Sequence, residues 1–115
     1  MLPRSMLVLV LGVFMAAAPS VPAGAASDTG LATSLHDVRR EGGRLCLTDH
    51  WHYGSSGTQS TKAAAQRDAI RSWQDFTDLE YGSVWARFSR AASKKVGCSQ
   101  TGGGWVCNVE ARACR

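Results

Sequence analysis

No stretch of this chain stays apolar for the roughly 20 residues that a membrane-spanning helix requires. Nor is there a C-x-x-C pair, the spacing used by zinc ribbons and thiol redox motifs, or a Gly-x-Ser-x-Gly elbow that would expose a serine nucleophile. Acidic side chains almost disappear after position 82, where Glu110 is the one carboxylate in the last third of the chain. Internal repeats and low-complexity segments are absent apart from Gly102-Gly103-Gly104. These gaps argue against a membrane-embedded mature protein, a cysteine-ligated zinc module, a serine hydrolase and a repeat array.

What is present begins with an export signal. Arg4 precedes an apolar run over 7–18, too short to cross a bilayer but of the length of a signal-peptide core. Pro19 and Pro22 follow, and Ala23-Gly24-Ala25 puts small residues where a signal peptidase reads. Residues 1–25 are therefore expected to be a cleaved signal peptide. No cysteine borders the site to take a lipid anchor, and a lone arginine does not make a twin-arginine signal. The destination is secreted or periplasmic.

The remaining chain is short for a self-sufficient core, and small exported domains compensate with disulfides. Four cysteines remain, Cys46, Cys98, Cys107 and Cys114. Residues 98–107 read as a hairpin whose glycines supply the positive φ of a tight turn. With Gly102-Gly103 as a two-residue turn, Cys98 and Cys107 face one another at a non-hydrogen-bonded pair, where strands approach closely enough for a bridge. Cys46 is then left with Cys114.

Residues 26–43 are polar without a sustained period and read as a flexible leader to a single domain over 44–115. Alternation over 45–53 suggests one strand, with Leu45, Leu47, Trp51 and Tyr53 on one face and Cys46, Thr48, His50 and His52 on the other. Ser60 or Thr61 caps an alanine-rich helix whose stripe runs through Ala69, Ile70, Trp73, Phe76, Thr77 and Tyr81. After Gly82 the pattern resumes through Val84, Trp85, Phe88, Ala91 and Ala92, as a second helix or a kinked continuation. The expected architecture is α+β: a small antiparallel three-stranded sheet, in the order strand, helix, helix, hairpin, packed on amphipathic helices and stapled by disulfides. Trp73, Trp85 and Trp105 are its expected core.

Two groups of residues suggest function. His50 and His52, two apart on a strand, point the same way and are placed to share a metal ion. Asp49 faces away, and His36 lies on the leader, too far off to serve as a third ligand. Ser55, Ser56 and Ser60 with Asp49 do not compose a nucleophilic triad, and Asp75, Asp78 and Glu80 read as a solvated helix face. No catalytic residue is assigned, and a cofactor is not required beyond that possible metal.

Charge is the second signal. From Ser83 onward the balance is +5, against −2 for 27–82. Arg87, Arg90, Lys94, Lys95, Arg112 and Arg115 would form a basic surface that attracts anionic partners over roughly 8–10 Å. The residues thus suggest an exported binding protein contacting an anionic envelope component or an acidic protein. A metal-binding protein or metal-dependent enzyme using His50 and His52 is the alternative, and a secreted inhibitor or effector a third. The series His50-x-His52-x-Gly54, a helix bearing Trp73, Glu80-Tyr81-Gly82, Trp105-x-Cys107 and residues 111–115 resembles small uncharacterised secreted cysteine-containing proteins of Gram-negative bacteria. Ala113 stands where such proteins would carry proline. That resemblance implies export and no particular activity.

Overall fold

A computed structural model describes residues 12–19 and 26–115 of the chain. The expected cleavage point after Ala25 lies outside the described residues. From there the order is α1 (Leu31–Leu35), β1 (Val38–Glu41), β2 (Arg44–Leu47), β3 (His52–Ser55), α2 (Lys62–Tyr81), two 3₁₀ turns (Ser83–Trp85 and Phe88–Arg90), β4 (Ala92–Thr101) and β5 (Gly104–Arg112). The class is α+β with antiparallel sheets.

α2 forms where the capping and propensity signals coincide. Thr61 accepts a hydrogen bond from the Ala64 N–H, and alanines carry the first turns. Its buried residues are Ala65, Ala69, Trp73, Thr77 and Tyr81, a narrow stripe at steps of four. Phe76, placed in that stripe by sequence, is instead 62% exposed, because a stripe one residue wide leaves position 76 on the flank. The small end of the stripe lets the helix settle onto β3. A side chain at Gly54 would overlap the backbone of Ala69 and Trp73, so glycine there sets the closeness of strand and helix.

The sheet under α2 has the order β3-β5-β4. Its hairpin has Thr101 opposite Gly104 and Cys98 opposite Cys107, and those two cysteines are bridged. Cys46 and Cys114 form the second bridge. Trp73 and Trp85 are fully buried and Trp105 partly so.

Three expectations need correction. Residues 26–43 carry α1 and β1 and are not an unstructured leader. Their order comes from contacts made elsewhere: β1 pairs with β2, Ala32 is buried, and the Thr29 N–H donates to the Tyr81 carbonyl. Single apolar residues docked this way leave no periodic trace.

The single strand expected over 45–53 is two, joined by a bend at 48–51. β2 pairs with β1 in a separate two-stranded ribbon while β3 joins β5, so the chain changes sheets at the bend. Among the described residues the sheets accordingly have two and three strands.

The second helix is replaced by the two 3₁₀ turns. Gly82 ends α2 at φ 99°, in the region that favours glycine, and a Cβ there would strike the Ser27 backbone. Ala92 already belongs to β4.

The bridges close chain separations of 68 and 9 residues, so loop-closure entropy gives removal of the Cys46–Cys114 pair a cost of about 4 kcal/mol and removal of Cys98–Cys107 about 2.5 kcal/mol. Urea unfolding of the C46S/C114S and C98S/C107S proteins should show the first pair losing the larger share. Equal losses would mean that the long-range bridge contributes less than its loop length implies.

Candidate functional site: a histidine and carboxylate cluster

The end of α1, the 48–51 bend, the start of β3 and the last turn of α2 meet at one place. They bring together His36, His50, His52, Glu80 and Tyr81. His36 and His50 stack with ring centroids 4.2 Å apart, and His50 meets His52 edge-on at 5.1 Å. His36, His50 and Glu80 each offer a ligand atom, all lying within 4.8 Å of one another. The Tyr81 hydroxyl is 2.7 Å from His36 Nε2. His36, set aside in sequence as too distant, is thus a member. Distance along the chain concealed it, because 14 positions separate His36 from His50 and only the docking of α1 and β1 closes the gap.

His52 is the most constrained of the group. It is buried, its Nδ1 is 3.2 Å from Thr77 Oγ1, and its Nε2 is 3.2 Å from Glu80 Oε2. The Thr77 hydroxyl donates its single proton to the Trp73 carbonyl at 2.7 Å, so toward His52 it can only accept. The network therefore assigns the proton of a neutral imidazole to Nδ1 and leaves Nε2 as a lone pair. That lone pair confronts a carboxylate oxygen at ion-pair distance but out of hydrogen-bonding alignment, and Nε2 has no hydrogen-bond partner among the described residues.

The surroundings of His52 and His50 favour their neutral forms. Burial, opposed by the Glu80 charge, pushes His52 below its ordinary value, with His50 and His36 adding to the depression. Burial and then His36 do the same to His50, again against Glu80. Burial first, then the Glu80 carboxylate, raises Tyr81 so that it remains a phenol. Glu80 itself sits in the last turn of α2, beside Asp78 and without a basic residue, where the helix dipole favours cations over carboxylates. An open groove of about 320 Å³ exposes the cluster, lined by His50, Trp51, His52, Tyr53, Phe76 and Glu80.

The basic residues fare differently. Arg112, expected on the surface, is 4% exposed and works inside the fold. Both its terminal nitrogens donate to the Glu41 carboxylate, one also to the Leu47 carbonyl, its Nε donates to Ser93 Oγ, and its guanidinium stands 5.9 Å from the Trp51 ring. A guanidinium emerging at the end of a central strand is held this way because burial demands that its donors be satisfied. Lys95 pairs with Glu110, and Lys94 donates to the Ser89 carbonyl. Arg87, Arg90 and Arg115 line a separate notch that neither lysine lines.

Comparison with protein-family models, curated proteins and solved structures gives no match.

The Arg112 guanidinium holds the Glu41 carboxyl down at about 2, from 4.5. Glu41 thus binds fewer protons when folded, so its contribution to stability is complete above pH 4.5 and lost as pH falls toward 2. Urea midpoints measured between pH 6 and pH 2.5 should fall more steeply for the native chain than for the Glu41→Gln protein. Parallel profiles would remove this pair from the acid response.

Proposed function

We propose that this chain is a small exported protein whose disulfide-bonded domain binds one divalent transition-metal ion at His36, His50 and Glu80, whose ligand atoms converge, with His52 Nε2 beside Glu80 as a fourth donor. The observation that carries the reading is the confrontation of His52 Nε2 with Glu80 Oε2 at 3.2 Å, which the Thr77 hydrogen bonds make two acceptors when the ring is neutral. A cation converts that repulsion into coordination. Two ligand atoms each about 2.0 Å from a tetrahedral ion lie about 3.3 Å apart, close to the separation found.

The donor set suits zinc first, with cobalt, nickel and copper as chemical relatives, since imidazole and carboxylate are borderline ligands and no thiolate is free. Thr77 holding Nδ1 of His52, and Tyr81 on His36, are outer partners of the kind that fix ligand rings at metal sites. The groove gives the ion a path in. Export is supported by the N-terminal apolar run and by the two bridges, which suit an oxidising compartment. No step of catalysis follows from this arrangement, so the function proposed is binding.

Titration of the oxidised, chelator-treated protein with Zn²⁺ by calorimetry, and with Co²⁺ by visible absorption, tests the site. One equivalent should bind, with tetrahedral cobalt bands, and His50→Ala and Glu80→Gln should each weaken binding by at least about tenfold. Tyr81→Phe, which keeps every ligand, should cost less than either. Undiminished binding in both ligand variants, or no saturable binding by the native chain, would sink the proposal.

A further inference from the structure

A second site lies on the segment that the 3₁₀ turns build. We infer that the notch between Arg87, Arg90 and Arg115 binds a small oxyanion of the phosphate or sulfate type. It is distinct from the histidine cluster and shares no residue with it.

Arg87 precedes the turn Phe88–Arg90 and Arg90 ends it, three residues apart. The Arg90 N–H donates to the Arg87 carbonyl at 3.0 Å, which closes the turn and brings both cations to the same notch. The turn is not free to relax them apart. Arg44 donates to the Arg90 and Ala91 carbonyls at 2.9 and 3.1 Å, and the Phe88 N–H donates to Gln74 on α2. Arg115 arrives from the other side, its backbone N–H and carbonyl both paired with Leu45, its guanidinium 5.8 Å from the Trp85 ring. Together with Val84 the three arginines line a notch of about 200 Å³.

The notch has an excess of donors over acceptors. Guanidinium groups donate and cannot accept. One carboxylate answers the three, Asp28, held by a single arm of Arg115 at 2.6 Å. Arg90 Nε is buried without a hydrogen-bond partner among the described residues, and so is the Nε1 of Trp85, the ring beneath Arg115. Like charges held together beside unmet donors are stabilised by a compact anion with several acceptor oxygens. Planar guanidinium forks match phosphate and sulfate two bonds at a time, which lysines at Lys94 and Lys95 would not do. A phosphate in free solution and one on a lipid headgroup present the same oxygens.

The test uses the full oxidised domain. Inorganic phosphate, then sulfate, is titrated at low salt while amide signals of residues 84–90 are followed by NMR, and sedimentation with vesicles of phosphatidylcholine carrying phosphatidylglycerol is measured in parallel. Saturable shifts confined to the notch are expected, weakened at least about tenfold in Arg87→Gln and further in R87Q/R90Q, the size of one lost charge-assisted contact. Arg87 is exposed, so its substitution leaves the fold intact, and Lys95→Gln, outside the notch, should change nothing. His50→Ala should bind phosphate as the native chain does, which separates this site from the metal reading. Loss of phosphate binding in R87Q/R90Q without vesicle binding in any protein identifies a dissolved oxyanion, and loss of both identifies a headgroup. Either supports the site. Absence of saturable phosphate or sulfate binding, or binding that R87Q/R90Q retains, overturns it.

Discussion

Everything distinctive about this domain depends on docking the β1–β2 ribbon onto the end of β5. The ribbon pairs only with itself as a sheet, so it must be fastened by other means. Arg112 supplies one fastening, joining Glu41 of β1, the Leu47 carbonyl of β2 and Ser93 of β4 to its own strand. The Cys46–Cys114 bridge supplies another, and main-chain hydrogen bonds from Leu45 and Leu47 to Arg115 and Ala113 a third. The Arg112–Glu41 pair joins groups 71 positions apart, and so ties the ribbon to the end of β5. That position in turn places His36 against His50 and Arg115 beside Arg87 and Arg90.

The two candidate sites are thus products of the same constraint, at opposite ends of the segment running from the last turn of α2 to β4. At one end acceptors crowd together, with imidazole lone pairs and a carboxylate at the negative end of a helix. At the other, donors crowd together without enough acceptors. Each imbalance costs free energy in the folded chain, and each is relieved by an ion of opposite sign.

Local signals in the sequence carried the parts of the fold that are local. The Thr61 cap and the alanine run marked α2, and the spacing of Cys98 and Cys107 around two glycines matched the register of the β4–β5 hairpin. Long-range docking was not legible. α1 and β1 hold few apolar residues and owe their order to Tyr81, Ala32 and Glu41, so 26–43 read as a polar leader and His36 was discounted with it. The bend at 48–51 was hidden for a similar reason, since alternation continues in letters while the chain changes sheets. Arg112 shows the limit of reading charge from composition. A basic residue counted into a surface patch is buried, and only its partners 65 and 71 positions away explain why.

The Cys46–Cys114 bridge has a thermodynamic companion in the histidine cluster. Forming it holds the ribbon near β5 and so favours the meeting of His36 with His50. Coupling between two equilibria is reciprocal, whatever carries it. Any ligand that draws His36, His50 and Glu80 together must therefore make that disulfide harder to reduce, and by the same amount that oxidation tightens the ligand. Oxidation state and occupancy become two readings of one conformational variable, the seating of a two-stranded ribbon, four residues long, against the end of a strand.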